Sequence, residues 1–242
     1  MWFRHDPAGY HILSRLGGGR YGVCYLAENT EGQQFVLKRF RPRQQKKYPD
    51  DHRHEAVILS GLSHPAVPAL CGIINSPSGY FFVLEYKKGK TLKHWLFRDH
   101  KVFSDSEIFR IGSQLFDILI YIHSRSVVHR DISIANITDD GEHISLLDFG
   151  LARYTDRDGG ILPSLDFPYV GNVLLYLLCS GYKGDRKKPW HEVLPLTSAQ
   201  KHCLLHMVEL EEPFHDTKEA AEAFHSSFFP HEGNFPKEHF LF

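Results

Sequence analysis

The chain has 242 residues, 42% of them hydrophobic and 24% charged, with a net charge of −1 when histidine is neutral. That length and apolar share suffice for one domain, or two small lobes sharing a core, that folds without metal or disulfide support. A net charge so near zero excludes a global field pulling the chain to nucleic acid or to a membrane surface, and neither is expected as a partner.

The four cysteines, Cys24, Cys71, Cys179 and Cys203, are widely spaced and form no Cys-x-x-Cys pair. They fit reduced thiols in a cytoplasmic protein. Met1 to Asp6 lacks the apolar core of a secretion signal. The apolar runs Phe116 to Ile122 and Val173 to Cys179 are too short to span a bilayer. The seventeen histidines include no H-E-x-x-H arrangement, so they read as surface or core residues.

In chain order, Tyr10 to Leu16 alternates loosely and predicts a strand. Gly17-Gly18-Gly19-Arg20-Tyr21-Gly22 follows, and Val23 to Ala27 predicts a second strand. Glycines let the backbone of such a hairpin lie close over phosphates. A dinucleotide-binding fingerprint needs a helix directly after its glycines, and Val-Cys-Tyr-Leu continues in β-type residues instead. Gln34 to Lys38 is a strand ending in a lysine, which alone would read as an edge-strand residue in solvent. Arg39, Arg41, Arg43, Lys46 and Lys47 form a basic run expected to be a solvated loop. Pro49-Asp50-Asp51 opens a helix with acids in its first turn. Glu55 is its only interior acid, and Val57, Ile58 and Leu62 are expected on one apolar stripe. Ser63-His64-Pro65 ends it.

Tyr80 to Tyr86 predicts a buried strand, followed by a loop through Gly89 and a short helix. Ser104-Asp105-Ser106-Glu107 has the form of a capping box. Ile108, Ile111, Leu115, Ile118, Leu119 and Ile122 then recur at three- and four-residue intervals, a buried helical stripe. Val128-His129-Arg130-Asp131-Ile132-Ser133-Ile134-Ala135-Asn136 comes next, and Asp148-Phe149-Gly150 begins twelve residues after Asn136. Between them, short strands at 136–138 and 143–147 flank the turn Asp139-Asp140-Gly141, which predicts a hairpin holding Asn136 and Asp148 together. Further helices are expected at 173–178, 197–210 and 217–224, followed by an aromatic tail that includes Phe228, Phe229, Phe235, Phe240 and Phe242.

Taken singly, Asp131 and Asn136 are ordinary turn formers. Together with Asp148 they make a set that phosphoryl transfer to a hydroxyl requires: one carboxylate to receive the proton and two oxygen ligands for Mg²⁺. His-Arg-Asp, four residues, Asn, a strand, then Asp-Phe-Gly resembles the catalytic core of eukaryotic-type (Hanks-type) protein kinases. Gly17, Gly19 and Gly22 with Tyr21 resemble that family's phosphate loop, and His64-Pro65-Ala66-Val67 its turn after the lysine-pairing helix. The likeness covers roughly residues 10 to 224. Its size and abbreviated activation segment are similar to those of small soluble bacterial serine/threonine kinases.

The resemblance implies an α+β, bilobal fold, one kinase domain over 1–242: a small antiparallel-sheet lobe to about residue 85, a hinge at 85–90, and a mostly helical lobe at 91–242. It implies ATP with Mg²⁺, or Mn²⁺ in its place, and phosphorylation of protein Ser/Thr hydroxyls, including autophosphorylation. Asp131 would be the catalytic acceptor, and Asn136 and Asp148 the metal ligands. Lys38, paired with Glu55, would hold phosphates. Leu16, Gly17, Gly18, Gly19, Arg20, Tyr21, Gly22, Cys24, Val36, Leu84, Glu85 and Tyr86 would surround the nucleotide, Leu84 at the back of the pocket.

Three departures stand out. Ser133 occupies the place where serine/threonine kinases commonly carry a lysine that touches the γ-phosphate, and Arg153 is the nearest candidate to compensate. Val36 replaces a smaller alanine, which tightens the adenine slot. Only seventeen residues separate Asp148 from Asp166, about half the family's interval, without Ala-Pro-Glu. The arginine that pairs with that glutamate is also missing from Glu212 to Thr217. Two rival readings remain: a nucleotide-binding pseudokinase, and a small-molecule kinase of the aminoglycoside or choline type. The latter tend to lack Asp-Phe-Gly.

Overall fold

The computed structural model describes residues 7–19, 22–42, 51–155, 159–185 and 187–230. Its N-terminal part is one antiparallel sheet of β1 (His11–Gly18), β2 (Gly22–Glu28), β3 (Gln34–Phe40), β4 (Leu70–Ser76) and β5 (Gly79–Glu85), in the order β1-β2-β3-β5-β4. Helix α1 (Asp51–Gly61) packs beside it. Tyr25, Ala27, Leu37, Ile74, Phe81 and Val83 form a small core on one face of the sheet. The opposite face carries Lys38 and Phe82, which lie directly across from each other on β3 and β5.

β6 (Lys90–Thr91) and α2 (Leu92–Phe97) lead into α3 (Asp105–Ser124), the central helix of the C-terminal part. Ser104 and Glu107 close the expected capping box: the hydroxyl accepts from Glu107 N, and the carboxylate accepts from Ser104 N. All six residues of the apolar stripe are buried. β7 (Val127–Val128), β8 (Ile137–Asp139), β9 (Ile144–Leu146) and β10 (Arg153–Tyr154) are short strands around the loop 129–136. A 3-10 turn over Pro163–Asp166 runs into α4 (Phe167–Leu178). The chain ends its described part with α5 (Trp190–Val193), α6 (Ser198–Met207) and α7 (Thr217–Phe228). No described helix is long and apolar enough to cross a membrane.

One expectation is corrected, and one strand is new. Val57 is 52% exposed, whereas Ile58, Leu59 and Leu62 are buried. The inward face of α1 is set by Glu55, and a residue two positions on points about 200° away. Strand β4 has no counterpart in the sequence reading, because Cys71-Gly72 interrupts its alternation. Arg43, Lys46 and Lys47 of the basic run, Pro49 and Asp50 ahead of α1, and Phe235, Phe240 and Phe242 of the tail lie outside the described residues. Phe224 and Phe228 are buried on their own lobe, while Phe229 is exposed and meets Phe109 edge-on.

Helices α3 and α7 cross closely because Gly112 faces Phe224. A Cβ at position 112 would overlap the Phe224 ring, with Cε1 and Cε2 at 2.7 and 2.8 Å. In a free helix, Gly→Ala stabilises by about 0.5–1 kcal/mol. Here the sign reverses: Gly112→Ala is expected to destabilise by about 1–3 kcal/mol through overpacking. Urea unfolding checks it, and a gain in stability would mean that the two helices do not cross there.

Candidate active site

The register of the sheet assembles one wall. Cys24 lies opposite Lys38 on β2 and β3, and Val36 lies opposite Leu84 on β3 and β5. Directly opposed residues share a face, as do residues two apart on a strand. Cys24, Val36, Lys38 and Leu84 therefore line one side of the sheet. Burial pushes the Cys24 thiol up to about 11, so it stays a neutral, apolar surface element.

Above this wall, β1 runs through Gly17 and Gly18 and turns back so that Gly19 N donates to Gly22 O at 2.9 Å. Gly22 is required: a Cβ there would run into the Arg39 carbonyl. Leu16 is 49% exposed at the loop's edge. Arg20 and Tyr21, expected at the loop tip, lie outside the described residues.

Lys38 is only 5% exposed, and its ammonium is shared by two carboxylates. Nζ donates to Glu55 Oε1 at 2.6 Å and to Asp148 Oδ1 at 2.7 Å. Burial alone would lower the Lys38 pKa, but Glu55 and Asp148 outweigh it and hold it above its ordinary value. Burial likewise raises Asp148, yet Lys38 wins and keeps that carboxyl below the usual range. Glu55, 2% exposed, is pushed up by burial despite the same ammonium. The pairing with Asp148 goes beyond the sequence reading, which placed only Glu55 on Lys38.

Asp131 and Asn136 meet across the loop 129–136. Asn136 Nδ2 donates to Asp131 Oδ2 and to the Asp131 carbonyl, both at 2.9 Å. This leaves Asn136 Oδ1 as the acceptor face of the amide. Asn136 is also fixed by its backbone: N donates to Ser133 O at 2.9 Å, and its carbonyl accepts from Leu147 N at 2.7 Å. The β8–β9 hairpin thus brings Asn136 next to the residue preceding Asp148. Asp148 has a left-handed backbone, φ 61°, a side chain 47% exposed, and Oδ1 turned to Lys38. Burial raises the Asp131 pKa, against the pull of His129 and the Asn136 hydrogen bond.

The loop is held from beneath by Asp166, which is fully buried. Its Oδ1 accepts from Arg130 N at 2.7 Å and its Oδ2 from His129 N at 2.8 Å. Burial lowers the His129 pKa, and its ring lies 3.1 Å from Leu147 O and 3.2 Å from Asp131 N. The sequence reading missed the next layer. His123 on α3 bonds Asp166 Oδ2 at 3.0 Å through Nε2 and Thr217 Oγ1 at 2.6 Å through Nδ1. Asp139, 1% exposed, is clamped by Arg110 Nη2 at 3.0 Å on both oxygens, bracing the hairpin. A polar residue continuing the inward face of α3 was the available signal for His123.

Glu85 is only partly available to a nucleotide. Its N–H donates to Ala69 O at 2.9 Å, and its carboxylate takes Lys87 Nζ at 2.6 Å and Ala69 N at 3.2 Å. Glu85 and Tyr86 also line a cavity of about 580 Å³ with His64, Gln114 and Asp117, and Lys38, Asp131 and Asp148 are not in its wall. Arg153 Nη1 donates to Ala152 O at 2.8 Å.

Asn136 Oδ1 and the Asp148 carboxylate are hard oxygen donors, which suit Mg²⁺. No group of three or more His, Cys, Asp or Glu among the described residues forms a metal cage. Two protein oxygens are what Mg²⁺ takes when phosphates and water complete its shell, so the residues fit that ion.

The protein kinase domain matches residues 10–166. The probable serine/threonine-protein kinase YbdM of Bacillus subtilis is 31% identical over 222 residues, 88% of this chain and 87% of that protein. CBL-interacting protein kinase 11 of Oryza sativa subsp. japonica is 31% identical over 189 residues, 75% of this chain and 37% of that protein. The ovarian-specific serine/threonine-protein kinase Lok of Drosophila melanogaster is 30% identical over 162 residues, 62% and 34% of the two chains. The chain belongs to the protein kinase family. Within it, the enzyme is of the serine/threonine class that these relatives share.

Lys38→Met would leave Glu55 buried beside no cation, and breaking such a pair from one side costs about 3–5 kcal/mol. Lys38→Met with Glu55→Leu removes both charges and is expected to recover most of that loss. Urea midpoints of the two variants decide it: equal destabilisation would show that the pair is not buried together.

Proposed function

We propose that this chain transfers the γ-phosphoryl group of ATP to serine or threonine hydroxyls of proteins, itself included. The observation that carries it is the joint placement of Lys38, Glu55, Asp131, Asn136 and Asp148. The sheet contributes Lys38, helix α1 Glu55, and the loop with its hairpin Asp131, Asn136 and Asp148; Lys38 bonds Glu55 and Asp148 at 2.6 and 2.7 Å, and Asn136 bonds Asp131 at 2.9 Å.

Asp131 Oδ receives the proton of the attacking hydroxyl. The hydroxyl oxygen forms its bond to the γ-phosphorus as the bond from that phosphorus to the β-bridging oxygen breaks, and ADP departs with the electron pair. Asn136 holds Asp131 at the angle that leaves one carboxylate oxygen for the hydroxyl. Asn136 Oδ1 and Asp148 would hold Mg²⁺, which neutralises phosphate charge when bound. Lys38, kept an ammonium by two carboxylates, orients the α- and β-phosphates. The glycine-rich backbone of Gly17 to Gly22 covers them, and Leu16, Cys24, Val36, Leu84, Glu85 and Tyr86 enclose the base. The 1–242 span acts as one kinase domain with a hinge at 85–90.

Activation needs no phosphate on the short segment after Asp148. β10 already pairs with β7, Arg153 against Val128 and Tyr154 against Val127. Thr155 N donates to Ser126 O at 2.8 Å. Thr155→Ala is therefore expected to keep full transfer activity.

A second reading, a nucleotide-binding pseudokinase, is favoured by one observation: residues 132 to 136 contain no cation for the γ-phosphate. Transfer of radiolabel from ATP to the chain or to a generic basic protein separates the two. Asp131→Asn is expected to lower the rate by about 10²–10⁴-fold, the usual worth of a proton acceptor, with ATP affinity kept. Tight ATP binding without transfer in the unaltered protein would establish the second reading. The pH profile adds a sign. Asp131 acts only when ionised, and its pKa is raised by burial. Activity should therefore fall, as pH drops, at a higher pH than an ordinary aspartate would give. An acid limb at the ordinary value would remove Asp131 from the role.

A further inference from the structure

Strand β5 ends in a clamp on the side away from the cleft. Successive strand residues point to opposite faces, so Leu84, on the cleft side with Val36, leaves the Glu85 side chain to the back of the sheet. Glu85 and Lys87 accordingly line the cavity whose wall holds none of Lys38, Asp131 and Asp148. There the Lys87 ammonium donates to Glu85 Oε1 and to the Pro65 carbonyl, each at 2.6 Å, and the lysine side chain is only 10% exposed. Glu85 Oε2 accepts from Ala69 N at 3.2 Å, and Glu85 N donates to Ala69 O at 2.9 Å. Residues 85 and 87 are thus tied to both ends of the turn 65–69.

That turn is itself fixed. Pro65 and Pro68 restrict its φ angles. Ala66 O accepts from Leu146 N at 2.9 Å, and Ser63 N donates to the Tyr121 hydroxyl at 2.6 Å, so β9 and α3 hold it in place. The segment after β5 is braced from behind against a rigid support.

Resting on the reading that Glu85 and Tyr86 enclose the base, we propose that Lys87 is a positioning residue for the nucleotide. Its side chain acts from the back of the segment, through the clamp. By holding the backbone of 85–87 in the geometry that fits the base, it sets nucleotide affinity and leaves the chemical step alone. A lysine ammonium can serve two acceptors at once, and so can the guanidinium fork of an arginine, whereas a methionine serves neither. Pro65 is exposed and the Glu85 side chain is 44% exposed. Loss of the ammonium therefore strands no buried group, and an ion pair open to water on one side contributes little to folding. The loss falls on geometry.

Binding of ADP that carries a methylanthraniloyl fluorophore, with Mg²⁺ present, tests this beside the kinetics of transfer from ATP. Lys87→Met is expected to weaken binding by roughly five- to tenfold, as when the fitting geometry is populated for about a fifth to a tenth of the time. The KM for ATP should rise by the same factor while kcat at saturating ATP stays within about twofold. Lys87→Arg should restore the affinity. Lys88→Met removes the same charge from the next residue, which has no side-chain partner among the described residues, and should change nothing. Thermal melting confirms that each variant is folded. Hydrogen exchange of the nucleotide-free chain reads the clamp directly: exchange at 65–69 and 84–88 should quicken in Lys87→Met and not in Lys88→Met. Unchanged affinity in Lys87→Met overturns the proposal, and so does an equal loss in Lys88→Met, which would be an effect of net charge alone. A fall in kcat at constant KM overturns it as well. Nucleotide binding without transfer in the unaltered protein would overturn the kinase reading instead, and the affinities would still decide the role of Lys87. No nucleotide binding at all would overturn both.

Discussion

An ammonium held between two carboxylates, in a site almost closed to water, is the constraint on which the cleft depends. Lys38 comes from the sheet, Glu55 from α1 and Asp148 from the turn that ends the catalytic hairpin. Neither Lys38 nor Glu55 tolerates its position alone: a buried unpaired charge costs several kcal/mol. Sheet, helix α1 and catalytic-hairpin turn are therefore coupled electrostatically through one ammonium. The same arrangement explains why Asp148 adopts a left-handed backbone that few non-glycine residues accept. The strain persists because the ion pair and the buried Phe149 behind it over-determine the turn.

The catalytic loop is governed by a second, independent device. Asp166 takes two backbone N–H groups of the loop and is itself oriented by His123, which is anchored on Thr217 at the start of α7. Loop position is thus set by hydrogen bonds reaching from α3, α4 and α7, in a layer where water cannot compete. A mobile activation segment would have to impose such order through an added phosphate. Here the segment is short and already tied to β7, so the loop geometry does not wait on modification.

The parts of this site that were legible in the sequence are those written in local spacing. Lys38 is marked by its distance behind the glycines, and Asp131, Asn136 and Asp148 by a hairpin whose turn residues are explicit. The α3 stripe and its cap were equally plain, because period and capping chemistry agree. What escaped depends on chain segments far apart. His123 and Asp166 are 43 residues apart and His123 and Thr217 are 94; the place of His123 on the inward face of α3 marks it as buried but names neither partner. Val57 escaped for a related reason: α1 turns its charged Glu55 inward, so the buried face is not the most apolar one. The Lys38–Asp148 contact follows only once the hairpin and the sheet have been placed in space.

The missing activation-segment residues carry one more consequence. A buried glutamate and arginine are tolerable as a pair and costly singly, so loss of one favours loss of the other. In this chain the stretch from Glu212 to Thr217 has no arginine, and Phe214 lies edge-on to Phe167, with ring centroids 6.4 Å apart. Aromatic packing carries no such pairing requirement, so that part of the core needs no charged counterpart from the activation segment. A shorter segment also leaves fewer residues to cover the turn before α4. Leu162, Leu165 and Tyr169 stand exposed beside the catalytic loop, where an exposed apolar patch normally marks a surface that binds something.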